Sequence, residues 1–332
     1  MGQSMIDLPS RLLLNLAAWR NARNWRVAFS GGLDSTVLLH LLAHLAKTES
    51  LPTLSAIHIH HGLQAAADAW PEHCQAVCDA LSIPLQVERV KVQPGASLER
   101  AARDARYAVF GSVNQSNDVL LTGQHRDDQA ETLLFRLLRG AGVRGLSAMP
   151  AQRPLGQGTL VRPLLDVTRA ELEAYAAAHQ LQWIEDPSNE DRQFSRNYLR
   201  HQIVPLLTGR WPQAQANMAR SAAHLREAQG LLDELAEIDL AHAKASTDFD
   251  WLGVPSLELA PLAALSVARQ RNALSHWLEP LTRLPDTDHW SGWTDLCDAG
   301  HDASPVWRLA DGELHRSAGR LWWLSGDWLR AP

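Results

Sequence analysis

Short apolar runs alternate with longer segments of helical period through the first two-thirds of the chain. Arg26–Ser30, Thr53–His60, Leu85–Lys91 and Asp118–Gly123 are brief and rich in Val, Ile and Leu, and read as strands. Ser35–Lys47, Ala66–Leu81, Ser97–Val113 and Asp128–Arg139 repeat their apolar residues every three to four positions and read as helices. Strand and helix in strict alternation predict an α/β fold, a Rossmann-like parallel sheet with helices on both faces. Such sheets bind ligands at the C-terminal ends of their strands.

A short apolar stretch at Thr159–Val161, a helix over Thr168–His179 and a loop over Trp183–Asn189 follow. A helix is expected over Ser195–Leu207, ending or kinking before Pro205, which has no N–H to donate. Trp211-Pro212 opens a different regime. From Gln213 to about Lys244 the chain is rich in Ala, Leu and Glu with few breakers, and predicts one long helix. Beyond it, Pro261–Trp277 reads as a helix, and Val306–Leu309 and Gly319–Leu324 bracket Asp311-Gly312 and Glu313–His315 as a small meander. The organisation expected is a domain over 1–210, a helical linker over 211–246 and a small α+β domain over 247–332. The last part holds most of the tryptophans, expected to form its core rather than a stacking surface.

Length fits this division, since 332 residues suggest about two domains at roughly 150 residues each. No apolar run reaches the roughly 18 residues of a membrane span. Leu12–Trp19 lies between Arg11 and Arg20 and reads as an amphipathic helix, not a leader. Cys74, Cys78 and Cys297 are too scattered for a disulfide framework and fit a reducing cytoplasm. The net charge of −6 argues against indiscriminate nucleic-acid binding, but a local patch can still hold phosphates. The only lysines are Lys47, Lys91 and Lys244, so basic chemistry here is arginine chemistry.

The chemistry starts at Ser30-Gly31-Gly32-Leu33-Asp34-Ser35, a tight turn between strand and helix. Two glycines let successive N–H groups point into one concavity, and the helix that follows adds its own unpaired N–H groups and dipole. Ser30 and Ser35 add hydroxyls, and Asp34 can hold a divalent cation against phosphates. Glycine for sharpness alone would explain the turn, but not two serines and an aspartate inside it. The spacing is neither a Walker loop nor a dinucleotide fingerprint.

Thr122–Thr132 follows another strand. Asp128 and Glu131 share a helix face there, with His125 and Asp127 beside them. Helix capping explains one acid in that position, whereas the dense cluster suits a cationic amine or Mg²⁺. Arg139 and Arg144 lie in a glycine-broken basic stretch, 139–149, read as a phosphate-backbone loop or a solvated one. Arg192, Arg196 and Arg200 recur every four residues, a stripe if helical, and Arg103–Tyr107 has the same ambiguity. His58 and His60 face one side of a strand with no third ligand in view.

The motifs at Ser30–Ser35, His58–Leu63, Arg103–Phe110, Gly123–Thr132, Arg139–Met149, Arg162–Leu165 and Trp183–Leu207 resemble, in order and spacing, the tRNA(Ile)-lysidine synthases, a family of PP-loop ATP pyrophosphatases. The resemblance covers about residues 20–210, and Pro261–Trp277 and Ala303–Leu324 resemble that family's first C-terminal domain. It implies ATP-dependent ligation of free L-lysine to C2 of the wobble cytidine in the CAU anticodon of tRNA(Ile), through an adenylated tRNA. On that basis ATP is assigned to Ser30, Gly31, Gly32, Leu33, Asp34, Ser35 and Gly123, and Mg²⁺ to Asp34. Lysine is assigned to Asp128 and Glu131, catalysis to these two with Asp34 and Arg106, and tRNA to Arg139, Arg144, Arg192, Arg196, Arg200 and the 247–332 domain. The setting implied is cytoplasmic, with no membrane partner and a homodimer left open. Many relatives have two histidines where Gln124-His125 stands, and a further domain after the Trp322-Trp323 region, whereas the sequence ends at Pro332. The alternative within the superfamily is a cytidine thiolase, which needs a persulfide cysteine or an iron–sulfur cluster, and no C-x-x-C is present.

Overall fold

The structure is a computed structural model that describes residues 7–62, 65–92, 98–244, 250–285, 288–300 and 303–330. Ser97, expected to start a helix, Leu63 of the His58–Leu63 motif, and 245–249 at the expected junction lie outside the described residues. The chain divides into two compact units, one ending at Arg226 and the next starting at Glu227. The division falls inside the long helix rather than on either side of it.

In the first unit the order is α1 (Leu8–Asn15), β1 (Asn24–Ala28), α2 (Leu33–Leu45), β2 (Thr53–His60), α3 (Trp70–Leu81), β3 (Leu85–Arg89), α4 (Leu98–Val113), β4 (Asp118–Leu121) and α5 (Arg126–Leu137). Then come α6 (Val143–Leu146), β5 (Gln152–Leu155), β6 (Gly158–Val161), α7 (Arg169–Ala178), α8 (Ser195–Tyr198) and α9 (Val204–Arg210). The sheet runs β3-β2-β1-β4-β6-β5 and is parallel except for β5. Chain order reverses between β1 and β4, which pair directly with Val27 opposite Leu121. This switch point puts the two motif-bearing strand ends side by side.

Packing follows the predicted pattern. Trp25, Val27 and Phe29 alternate into the core. α2 is buried almost all round, from Leu33 through Ala43, as expected of a helix against the middle of a covered sheet. Local chemistry moves several boundaries. β1 ends two residues earlier than expected, although the Phe29 N–H still donates to the Ile57 carbonyl at 2.8 Å, and Ser30 begins the turn. The expected start near Ala66 falls in a short 3₁₀ helix over Ala65–Ala69, which leads into α3 at Trp70 with Pro71 in its first turn. The 139–149 stretch, expected to be irregular, contains the single-turn α6. β5 was not anticipated because Pro154 lies within it, and an antiparallel edge strand is where a sheet tolerates proline. The run containing Pro205 neither ends nor breaks before it. It widens to a π-turn over Leu199–Ile203 and resumes as α9, with Pro205 in its first turn.

α10 (Ala214–Ala243) is the long helix. Its early residues serve the first unit: Ala222 packs with Leu133 and Ala148, and Arg226 Nη2 donates to the Ser147 and Met149 carbonyls. Its later residues serve the second, where Leu240 and Ala243 enter the core and Asp239 pairs with Arg269. The second unit continues with β7 (Ser256–Glu258), α11 (Leu259–Ala263), α12 (Val267–Leu278), α13 (Ser291–Asp298), β8 (Val306–Leu309), β9 (Gly312–Ser317), β10 (Arg320–Ser325) and α14 (Gly326–Arg330). Its antiparallel sheet runs β7-β10-β9-β8. Ala318 and Gly319 both have positive φ and make the tight turn from β9 to β10. Trp277, Trp293, Trp307 and Trp323 are buried in its core, as expected, while Trp251 and Trp328 are exposed. Among the described residues no helix is long and apolar enough to cross a membrane.

Candidate active site

The turn after β1 is built from its own polar atoms. Ser35 Oγ donates to the Gly32 carbonyl at 3.0 Å and accepts from the Ser30 N–H at 3.2 Å. Gly31 has φ of +84°, open to glycine at little cost, and a Cβ there would lie 2.6 Å from Ile184 Cδ1. The Ile184 N–H donates to the Gly31 carbonyl at 2.8 Å, so the 183–189 loop forms one wall of the turn. α2 begins at Leu33, two residues before its expected start, capped by Gly32 without any side-chain bond. The first-turn N–H groups are therefore not taken by a capping side chain, the arrangement that suits an anion.

The 122–131 segment touches this turn through Gly123. A Cβ on Gly123 would lie 3.0 Å from the Asp34 carbonyl carbon and 3.1 Å from the Ser35 nitrogen. Backbone atoms yield less readily than side chains, so Gly123→Ala should part the two segments by a few tenths of an ångström. The expected result is a KM for ATP raised roughly tenfold with the fold retained, read by steady-state kinetics and thermal melting.

α5 starts at Arg126, two residues earlier than expected, because His125 caps it. In neutral His125, Nδ1 accepts from the Asp127 N–H at 3.2 Å, and Asp128 Oδ2 accepts from the His125 N–H at 3.0 Å. The capping role weighed for Asp128 is thus real, but it uses one oxygen. The other, Oδ1, accepts from Arg200 Nη2 at 3.2 Å. Arg200 forks onto Glu131, donating Nε–H to Oε1 at 2.7 Å and Nη2–H to Oε2 at 2.8 Å. Asp127 Oδ2 accepts from the Arg169 N–H at 2.8 Å.

His125 sits among three carboxylates, with Nε2 3.7 Å from Asp34 Oδ1 and 3.6 Å from Asp128 Oδ2. Burial lowers its pKa, but Asp127, Asp128 and Asp34 together hold it above the usual histidine value. Burial lifts the Asp34 carboxyl above the ordinary range, and Asp128 adds to the rise. Burial also lifts Glu131, with the Arg200 fork opposing it. Asp127, though raised by burial, is held low by His125 and the Arg169 N–H.

Asp34 Oδ1 and His125 Nε2 are buried and have no hydrogen-bond partner. An orphaned carboxylate oxygen beside an anion-binding turn fits a divalent cation. Among the described residues no three His, Cys, Asp or Glu form a metal cage.

The other expected residues are placed variously. Arg106 is exposed on α4, close enough to help lower the His61 ring, whose main depression is burial. Arg139 is exposed, its guanidinium 5.2 Å from the Phe135 ring, and Arg144 lies on α6. The arginine stripe does not form. Arg192 lies before α8 and is exposed, and Arg196 reaches Thr132 Oγ1 at 3.4 Å, while Arg200 turns inward to the carboxylates. His58 gives Nδ1 to the Phe29 carbonyl at 2.9 Å. The spacing of residues gave no sign of Ile184 as a wall of the turn or of Arg200 as a partner of Glu131, because both contacts join distant segments.

The family of PP-loop domains matches residues 8–207, and the TilS substrate binding domain matches 257–322. The tRNA(Ile)-lysidine synthase of Pseudomonas fluorescens (strain Pf0-1) is 80% identical over the whole chain, which spans 75% of that protein. The synthase of Escherichia coli O157:H7 is 45% identical over 91% of the chain and 69% of its own length. Among solved structures, the U34-tRNA thiolase NcsA from Methanococcus maripaludis superposes with a TM-score of 0.55 at 16% identity, over 66% of this chain and 77% of that one, a likeness of fold. With its phosphate turn, its carboxylate cluster and these matches, the chain belongs to the tRNA(Ile)-lysidine synthase family, ATP-using ligases of the PP-loop fold.

Proposed function

We propose that the protein joins free L-lysine to C2 of the wobble cytidine in the CAU anticodon of tRNA(Ile), by way of an adenylated tRNA. The observation that carries this reading is the direct contact of the phosphate turn with a buried carboxylate cluster at Gly123 and Asp34. A nucleotide site alone has no use for acids beside a polyanion. An enzyme that must bring an amine to an adenylated carbon has one.

In the first step the cytidine C2 oxygen attacks the α-phosphate, and the bond to pyrophosphate breaks. The Ser30–Ser35 turn, the α2 N-terminus and Arg106 hold the phosphates in line. Asp34 would hold Mg²⁺, which when bound neutralises phosphate charge. In the second step the lysine ε-amine attacks C2 and AMP leaves with the oxygen. The amine must first lose a proton, since its pKa in water is ~10.4. Arg200 forks on both Glu131 oxygens at 2.7 and 2.8 Å but gives Asp128 one longer bond at 3.2 Å, and the Glu131 side chain is 3% exposed against 16% for Asp128. Asp128 is therefore the carboxylate proposed to meet the amine. Glu131 supports it by fixing Arg200, and Arg200 moves from the tRNA surface to this role. Arg139, Arg144, Arg192 and Arg196 stay as proposed contacts to the tRNA backbone, with the second unit as a further tRNA-binding part.

The thiolase alternative needs a reactive sulfur. Burial pushes the Cys74 and Cys78 thiols up to about 12 and Cys297 up to about 11, so none is poised as a thiolate. Transfer of radiolabelled lysine to CAU-anticodon tRNA(Ile), dependent on ATP, is the deciding assay. Its absence, with sulfur incorporated in its place, would overturn the lysine reading.

A further inference from the structure

Among the described residues, five arginines of the first unit gather without an acidic partner. α4 supplies Arg103 together with Tyr107, β5 supplies Arg153, and Arg162 follows β6. The Tyr107 ring centroid lies 4.7 Å from Arg103 Cζ and 5.0 Å from Arg153 Cζ. Arg103 Nη2 donates to the Tyr107 hydroxyl at 3.5 Å, and Arg162 lies close enough to help lower the same phenol. Arg162 is 5% exposed, donates Nη1–H to the Pro150 carbonyl at 2.7 Å, and leaves Nε without a partner. Arg136 lies within electrostatic reach of both Arg103 and Arg196. Arg136 Nη1 is bound to the Gly145 and Ala148 carbonyls, and Arg196 to Thr132.

Among the described residues, none of the five forms an ion pair with a carboxylate, in a chain whose net charge is −6. Their mutual repulsion is evident. Burial lowers Arg162, and Arg153 and Arg103 depress it further, while Arg196 and Arg103 add to the burial that lowers Arg136. Tyr107 is raised by burial, yet Arg103, Arg162 and Arg153 bring it below the usual phenol range. A solvated arginine surface would also lack acids, but Arg162 is buried. Like charges in a partly desolvated setting repel strongly, and an anion is the natural counterweight.

We propose that Arg103, Arg153 and Arg162, anchored on Tyr107, form an anion site for a phosphodiester of the tRNA near the modified nucleotide. The shared chemistry is a phosphate oxyanion, and released pyrophosphate is its other source. The phosphodiester is favoured because Arg103 is exposed and Arg153 only half-buried, so the cluster opens to solvent on one side. Pyrophosphate would need a compact, closed cluster. Tyr107 acts as a positioning residue that fixes the guanidiniums.

This inference rests on the tRNA reading above. Its test is the salt dependence of tRNA(Ile) binding by wild type, Arg103→Gln, Arg153→Gln and the double variant, with MgATP and inorganic pyrophosphate titrated in parallel. The log–log slope should fall by about 0.7 to 0.9 for each lost contact, with MgATP affinity within about twofold of wild type. Tyr107→Phe should keep the slope and lose several-fold in affinity, because the charges remain and their common anchor does not. Slopes that overlay wild type in variants with unchanged melting temperatures overturn the site. Unchanged slopes with pyrophosphate binding weakened about tenfold assign it to pyrophosphate and overturn the phosphodiester. A wild-type protein that does not bind this tRNA overturns the functional reading itself, whatever the variants do.

Discussion

Asp34→Ala is expected to abolish pyrophosphate release from ATP while the protein melts no lower than wild type. The first half follows from position. Asp34 lies in the phosphate turn, and its Oδ1 is buried with no partner, facing His125 Nε2 at 3.7 Å. Loss of a cation-holding carboxylate at a phosphoryl-transfer site costs several kcal/mol, and about 4 kcal/mol is roughly a thousandfold in rate. The second half follows from linkage. Burial, then Asp128, raises the Asp34 pKa against the pull of His125, Arg169 and Arg200. A carboxyl whose folded pKa lies above its unfolded value opposes folding once the pH passes its unfolded pKa, and the full effect is present above the folded one. Its removal relieves that cost at neutral pH. ATP–pyrophosphate turnover at saturating Mg²⁺ and a thermal melt read both halves. Turnover comparable to wild type would remove Asp34 from the chemistry. A clear drop in melting temperature would show that the residue supports the fold instead.

How far the chain disclosed this site depends on how local each feature is. The phosphate turn was legible because everything it needs lies within six consecutive residues and the strand and helix around them. The meeting of that turn with the 122–131 segment was legible in outline, since parallel sheets gather strand ends. The partners of the carboxylates were not. Arg200 is 69 residues from Glu131, and spacing alone gave it to an exposed stripe. Two physical causes defeat that stripe. Arg192 precedes the helix, and Arg200 lies in the π-turn Leu199–Ile203, where a wider turn no longer stacks every fourth residue on one face. Pro205 marked the disturbance correctly, but its form depends on the packing of this segment against α5.

The same reasoning explains the helix starts. α2 and α5 each begin two residues before the expected position, at Leu33 and Arg126. In the first, glycine serves as cap and leaves no side-chain signal. In the second, the cap is histidine, a residue not among the usual capping types, so capping could be weighed for the acids of the cluster but not for His125. Asp128 divides its oxygens, Oδ2 capping the helix and Oδ1 accepting from Arg200.

That division of labour makes Asp128→Asn the sharpest test of the two half-reactions. The asparagine oxygen can still accept from the His125 N–H, so the cap at 3.0 Å has a replacement and α5 should start where it does now. What is lost is the negative charge and the basicity. The lysine ammonium loses its partner and the amine loses its proton acceptor, a loss of about a hundredfold or more in the second step. Arg200 remains forked on Glu131, so the carboxylate left behind cannot easily substitute. The variant should therefore form adenylated tRNA from ATP in the absence of lysine, detected by mass, at a rate near wild type. On addition of lysine that intermediate should persist. The rival is that Asp128, 3.6 Å from the same His125 nitrogen that faces Asp34, serves ATP and its cation instead. In that case the variant makes no adenylated tRNA at all, and the amine has to be assigned to another group.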